Sequence, residues 1–119
     1  DGRTVHVDEV SVPRAGQSVA FIMDTRWCDG ALELADGADL VVCESTFLAR
    51  DERLATEYGH MTAQQAGRLA REAGARRLVL GHFSRRYADP AAFADEAGAE
   101  FDNVVVAEDL QRIPVPPRC

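Results

Sequence analysis

Several side chains capable of chemistry follow a short apolar run in the second half of the chain. Leu78-Val79-Leu80-Gly81 leads into His82, and Ser84 and Arg86 follow within a few residues. A buried strand needs no such groups at its end. An imidazole can bind a metal or carry a proton, and a hydroxyl beside guanidinium groups can hold phosphate. We therefore predict that this segment forms one corner of an active site.

Each of the other three apolar runs also ends in an ionisable group: Val19–Met23 before Asp24, Leu40–Cys43 before Glu44, and Asn103–Val106 before Ala107-Glu108-Asp109. Functional groups gather at the carboxyl ends of parallel strands, so these side chains are expected to converge. Asp24 either caps the following helix or acts as a hard oxygen ligand. Asp24 with His82 suits zinc, manganese or iron, although two ligands make an incomplete site.

His60 precedes a helix predicted to begin at Thr62, where a T-x-x-Q spacing indicates a capping box. The positive helix end disfavours a charged imidazole, whereas a carboxylate such as Glu44 favours it. That balance suits a general acid near neutral pH. Free N–H groups at Thr62 could bind phosphate. Arg86 is either a solvated surface charge or a phosphate clamp.

The elements that must position these residues alternate along the chain. The four apolar runs are separated by three predicted helical regions: 29–36, Thr62 to Gly74, and a helix starting at Asp89-Pro90. This order predicts an α/β fold with a mainly parallel sheet and crossover helices. The strand at 19–23 is expected to be buried on both faces. Residues 1–17 are expected to form a strand or hairpin arm that carries a surface His6. Residues 50–53 are expected to be mobile.

Composition limits the classes of protein. The 119 residues make one domain at most, and a net charge of −7 argues against diffuse nucleic-acid binding. All 13 basic residues are arginine. Cys28, Cys43 and Cys119 form no short-spaced pair, which indicates reduced thiols in the cytoplasm, with Cys43 a buried apolar residue. No apolar run has the length of a membrane span, so no membrane partner is expected.

Four motifs together resemble ribonuclease Z, the tRNA 3′-processing endonuclease family of the metallo-β-lactamase superfamily. They are Phe21-Ile22-Met23-Asp24-Thr25, Cys43-Glu44-Ser45-Thr46-Phe47, Gly59-His60-Met61-Thr62-Ala63 and Gly81-His82-Phe83-Ser84-Arg85-Arg86-Tyr87. The resemblance covers nearly the whole chain. It implies half of an αβ/βα sandwich, zinc (or manganese or iron) as the cofactor, precursor tRNA as the substrate and a homodimer.

The resemblance also implies a role for each matching residue. Asp24 would bridge two zinc ions and His82 would ligate one of them, while the metals activate water for attack on the phosphodiester. His60, oriented by Glu44, would protonate the leaving oxygen. Ser84 and Arg86 would hold phosphates of the tRNA acceptor end. Thr62, at the start of its helix, is also predicted to bind phosphate.

The chain departs from the family pattern in three ways. Met23 replaces a glycine before the bridging aspartate, and Cys43 replaces a histidine. The H-x-H-x-D-H motif that supplies most zinc ligands is absent from residues 1–119. We therefore interpret the chain as the C-terminal half of such a domain, inactive alone. The alternatives are another hydrolase or phosphodiesterase of the superfamily, and a non-catalytic α/β module.

Overall fold

The computed structural model describes residues 2–118 and contains one four-stranded parallel sheet with strand order β1-β2-β3-β4. The strands are β1 (Val19–Ile22), β2 (Leu40–Glu44), β3 (Leu78–Gly81) and β4 (Val104–Val106). The α-helices are α1 (Asp29–Ala35), α2 (Glu52–Tyr58), α3 (Ala63–Ala73) and α4 (Ala91–Gly98). The predicted α/β class and parallel sheet are confirmed.

The register places the ends of the strands side by side. Ile22 pairs with Cys43, and Glu44 pairs with Gly81. The residues that follow β1, β2 and β3 therefore leave the sheet at one edge. This alignment brings together the groups that the sequence placed after each run.

The helix α3 forms as its sequence predicts. The Thr62 hydroxyl accepts a hydrogen bond from the Gln65 N–H, and the Gln65 side-chain oxygen accepts one from the Thr62 N–H. Gly74 ends the helix at φ 67°. A face of small and apolar side chains lies in the core: Ala63, Ala66, Leu69, Ala70 and Ala73. This face fixes the loop that carries His60.

Strand β1 is buried on one face only, so the prediction of burial on both faces was wrong. Ala20 and Ile22 lie in the core with residues of the helices, whereas Val19 and Phe21 are 54% and 66% exposed. Neighbouring side chains of a strand point to opposite faces. The core therefore lies on one face of the sheet, and part of the opposite face is apolar and uncovered.

The predicted strand or hairpin at residues 1–17 was wrong for its described part. Residues 2–17 contain a single 3₁₀ turn at Val7–Glu9 and are exposed, with no strand alongside them among the described residues. A strand forms its backbone hydrogen bonds with a neighbouring strand, and alternating valines do not provide that neighbour. His6 is exposed as expected. The arm helps to give the molecule a longest extent of 72 Å.

Residues 50–53 are ordered, contrary to the prediction of a mobile segment. They belong to a 3₁₀ turn at Ala49–Asp51 and to the first residues of α2. Asp51 accepts a hydrogen bond from the Tyr87 hydroxyl, and Glu52 accepts one from Gln65. These partners, distant in sequence, hold the segment.

The C-terminal segment returns to the opposite edge of the sheet. Asp39, whose side chain is 1% exposed, pairs with Arg76 at 3.3 Å and with Arg118 at 2.9 Å. These bonds, with that of the Ser18 N–H, hold the pKa of Asp39 down at about 2. The Arg76 guanidinium also donates to the Pro117 carbonyl at 2.8 Å.

Among the described residues, no helix is both long and apolar enough to cross a bilayer.

Candidate active site

Four ionisable side chains meet at the carboxyl edge of the sheet. Asp24, Glu44, His60 and His82 each offer a ligand atom, and these atoms lie within 4.8 Å of one another. Asp24 follows β1, Glu44 ends β2, His82 follows β3, and His60 lies between α2 and α3. The structure thus brings together all four residues predicted as catalytic or metal-binding.

Glu44 is the buried centre of this group, with no exposed side-chain surface. Its Oε1 accepts the Thr25 N–H at 2.6 Å, and its Oε2 accepts the Met61 N–H at 3.1 Å. The Thr46 hydroxyl lies 2.6 Å from Oε2, and His60 Nδ1 lies 3.0 Å from it. A buried carboxylate is tolerated when donors surround it in this way.

These contacts separate Glu44 and His60, which bond to each other, from Asp24 and His82, which are more exposed. Both Glu44 oxygens already accept hydrogen bonds from N–H or O–H donors, which makes Glu44 a poorer metal ligand than the exposed Asp24. His60 directs Nδ1 at Glu44, which leaves Nε2 facing outward to carry a proton. We infer an orienting carboxylate and a histidine positioned for acid–base chemistry.

Asp24 and His82 are the groups able to bind a metal. His82 Nε2 lies 3.5 Å from Asp24 Oδ1, and the side chains are 45% and 75% exposed. Both residues have positive φ angles, 59° for His82 and 52° for Asp24, in the left-handed region that favours glycine. An imidazole nitrogen and a carboxylate oxygen fit zinc, but a closed zinc site takes four ligands. This pair fits part of a metal site.

Thr46 is a site residue that sequence reasoning missed. Its hydroxyl lies between Glu44 and His82, 2.9 Å from His82 Nδ1. The available signal was its position two residues after the strand-ending glutamate, where an extended chain returns a side chain to the same face.

The phosphate site predicted at Thr62 is not available in this structure. The Thr62 side chain is fully buried and caps α3. The N–H groups of this helix end are also taken: Thr62 donates to Gln65, Ala63 to the Phe47 carbonyl, Gln64 to Glu96 and Gln65 to Thr62. A helix end binds anions only through unpaired N–H groups.

Ser84 and Arg86 lie in the loop after His82. The Ser84 hydroxyl accepts the Arg86 N–H at 3.3 Å, and Arg86 Nη1 lies 3.5 Å from Asp51 Oδ1. Asp51 also accepts the Tyr87 hydroxyl, and this bond with the nearby Arg86 and Arg50 lowers the pKa of Asp51. Arg86 is thus held at one end and remains 47% exposed.

The other candidates do not join the group. Glu108 and Asp109 are exposed after β4 and are not members of the four-residue cluster. Cys43 is fully buried in the core, as predicted, and burial together with the Glu44 charge raises the pKa of its thiol. Cys28 is exposed, and Cys119 lies outside the described residues.

Fold and site together define a class. A family profile described as "Beta-lactamase superfamily domain" matches residues 9–83. The metallo-beta-lactamase fold protein YhfI from Bacillus subtilis superposes with a TM-score of 0.71 and 31% identity, over 77% of this chain and 37% of that chain. The chain belongs to the β-lactamase superfamily, and its sheet with crossover helices is consistent with half of the superfamily's α/β sandwich.

Within the superfamily the chain is similar to proteins named ribonuclease Z. The one from Nocardia farcinica is 60% identical over 99% of this chain, and the one from Streptomyces coelicolor is 56% identical over 96%. The crystal structure of human tRNase Z, short form, matches 86% of this chain and 35% of that chain, with a TM-score of 0.67 and 33% identity. The chain spans 39% of the Nocardia relative's length, so it corresponds to part of such a protein.

Proposed function

We propose that the complete protein carrying this chain is a metal-dependent endoribonuclease that removes the 3′ trailer of precursor tRNA. The observation that carries the proposal is one geometric feature. His60, held by the buried Glu44, lies beside the exposed pair of Asp24 and His82, with ring centroids of His60 and His82 5.3 Å apart. The similarity to ribonuclease Z over nearly the whole chain supports the same substrate.

Asp24 and His82 would hold the metal, most simply zinc. The metals would supply Lewis-acid activation of water and of the phosphodiester when bound. The remaining ligands would come from an N-terminal half, with this chain as the C-terminal half of the domain. That division is supported by the ligand count, because this chain offers two ligands and a closed zinc site takes four.

His60 acts as the general acid in this proposal. Glu44 accepts the Nδ1 hydrogen and keeps Nε2 directed outward, where a proton can reach the leaving 3′ oxygen. Ser84 and Arg86 hold backbone phosphates on the same side, because both follow His82 and Arg86 remains half exposed.

We further propose that the complete protein is a homodimer acting in the cytoplasm, where precursor tRNA is matured. The exposed Phe21 and the exposed valines of the arm support the dimer, because another segment or a second subunit could cover this apolar surface. Sedimentation of the complete protein would show a mass of two chains; a monomer at working concentrations would contradict the dimer.

The substrate is tested with two reactions of the complete protein. Precursor tRNA with a 3′ trailer should be cut after the discriminator nucleotide, with a catalytic efficiency far above that for bis-p-nitrophenyl phosphate. The second candidate is another hydrolase of the superfamily, such as a general phosphodiesterase, with which the family profile and the superposition are equally consistent. It would hydrolyse the small ester well and leave the trailer in place.

A further inference from the structure

The Thr46 hydroxyl lies between Glu44 and His82. Thr46 follows β2, is 8% exposed, and its carbonyl accepts the Ser84 N–H at 3.0 Å, which ties it to the His82 loop. Its hydroxyl oxygen lies 2.6 Å from Glu44 Oε2 and 2.9 Å from His82 Nδ1. A hydroxyl carries one hydrogen, so Thr46 can donate only one of these two bonds.

Glu44 decides the direction of both bonds. The backbone N–H groups of Thr25 and Met61 donate to its two oxygens, so each oxygen is an acceptor. A carboxylate has no hydrogen to give, and Thr46 must therefore donate to Glu44. The Thr46 oxygen is then the acceptor for a hydrogen on His82 Nδ1.

This arrangement determines which nitrogen of His82 is free. A neutral imidazole with its hydrogen on Nδ1 carries its lone pair on Nε2, and Nε2 is the atom that faces Asp24 at 3.5 Å. An imidazole with no partner at Nδ1 can move the hydrogen to Nε2, where it blocks a cation. Partners of this kind orient metal-binding histidines and tune their affinity.

We propose that Thr46 is a positioning residue that sets the tautomer and ring orientation of His82, so that Nε2 can bind a divalent cation. Glu44 then controls both histidines, His60 by direct contact and His82 through the Thr46 hydroxyl. The inference rests on the proposed function in one respect, because His82 is taken as a metal ligand.

The test compares Thr46→Val with Thr46→Ser in the complete protein. Valine keeps the shape and removes the hydroxyl, whereas serine keeps the hydroxyl. Long-range proton–nitrogen correlation spectra of isotope-labelled histidine, recorded without metal at about pH 8.5, report the tautomer of neutral imidazoles. His82 should carry its hydrogen on Nδ1 in the wild type and in Thr46→Ser, and shift towards Nε2 in Thr46→Val.

Zinc affinity gives a second readout. Chelator competition should show a loss of about 10- to 100-fold in Thr46→Val and recovery in Thr46→Ser. Ser45→Ala is the matched control, since the neighbouring buried hydroxyl contacts the Gly81 carbonyl rather than an imidazole. It should leave the His82 tautomer unchanged.

Two results would overturn the inference. One is a metal-free wild type in which His82 carries its hydrogen on Nε2. This result does not depend on any variant being folded. The other is a folded Thr46→Val protein with the wild-type tautomer and zinc affinity. Cleavage of precursor tRNA is scored separately, so a protein with the expected tautomers and no such cleavage would contradict the proposed function and leave the role of Thr46 standing.

Discussion

His60 and His82 lie side by side, yet their hydrogen bonds assign them different tasks. His60 is bonded to Glu44 directly, and His82 reaches the same carboxylate through Thr46. In the proposed function, the outward nitrogen of His60 therefore carries a proton, and that of His82 binds a metal.

Replacing His60 should separate these tasks. In the complete protein, His60→Ala is expected to lower the rate of the chemical step about 10²- to 10⁴-fold, the usual contribution of a general acid. Zinc affinity should stay unchanged, because His60 directs Nδ1 at Glu44 and is not assigned as a ligand. Single-turnover cleavage and chelator competition measure the two quantities.

The control for this variant is His6→Ala, which removes an exposed imidazole from the N-terminal arm and should alter neither quantity. A His60→Ala protein that loses its zinc affinity would contradict this assignment, because it would show that His60 is a metal ligand.

The sequence identified Asp24, Glu44, His60 and His82 because each follows a recognisable strand or precedes a recognisable helix. It missed Thr46, since a hydroxyl after a glutamate has many ordinary uses and only its two distances reveal its role. It overestimated Thr62 because the acceptors that occupy the helix end, Glu96 and Phe47, come from distant segments.

Helices α3 and α4 pack so closely at Gly67 that a larger side chain does not fit there. A Cβ added at Gly67 would lie 2.7 Å from the Ala97 carbonyl oxygen. Gly67→Ala should therefore destabilise the protein by about 1–3 kcal/mol through overpacking, although alanine favours helix by about 1 kcal/mol. Urea unfolding measures the difference.

Gly98→Ala is the matched control for Gly67→Ala. Gly98 also lies in a helix, but nothing stands within 4 Å of an added Cβ. This variant should be neutral or slightly stabilising, and equal effects at the two positions would contradict the packing argument.

The edge opposite the site should weaken in acid. The pKa of Asp39 is lowered from its ordinary 3.8 to about 2 by Arg118, Ser18 and Arg76. A depressed folded-state pKa contributes stability above the unfolded value, and this contribution is lost as pH falls from about 4 to 2. Asp39→Asn should thus be less stable than the wild type near neutral pH, with the gap narrowing in acid.

Urea unfolding free energies at several pH values measure that gap. Asp102→Asn, which removes an exposed carboxylate, should follow the wild-type curve. A gap between Asp39→Asn and the wild type that stays constant down to pH 2 would show that the ion pairs of Asp39 add nothing to folding.

The element types were predictable because buried strands and a capped helix have strong local patterns. Residues 2–17 and β1 were not, because their states depend on whether a neighbour covers them. Within residues 2–118, the alternating valines of the arm have no adjacent strand, and Phe21 is exposed. The local sequence does not indicate whether another segment pairs with the arm or covers the exposed face of β1.

At the scale of the whole molecule, the two proposed ligands among residues 2–118, Asp24 and His82, are too few for a two-metal site. The isolated 119 residues should therefore bind less than two equivalents of zinc and cleave no precursor tRNA. Elemental analysis after dialysis and a gel assay measure both properties. Stoichiometric zinc together with cleavage by this chain would contradict the expectation.

The backbone at Asp24 and His82 has a consequence for laboratory evolution. Both residues occupy left-handed conformations, which cost a non-glycine residue about 1 kcal/mol or more. Glycine would relieve that cost at either position. A library selected for heat resistance alone should therefore enrich glycine at these two positions, and such a selection would remove the two proposed metal ligands.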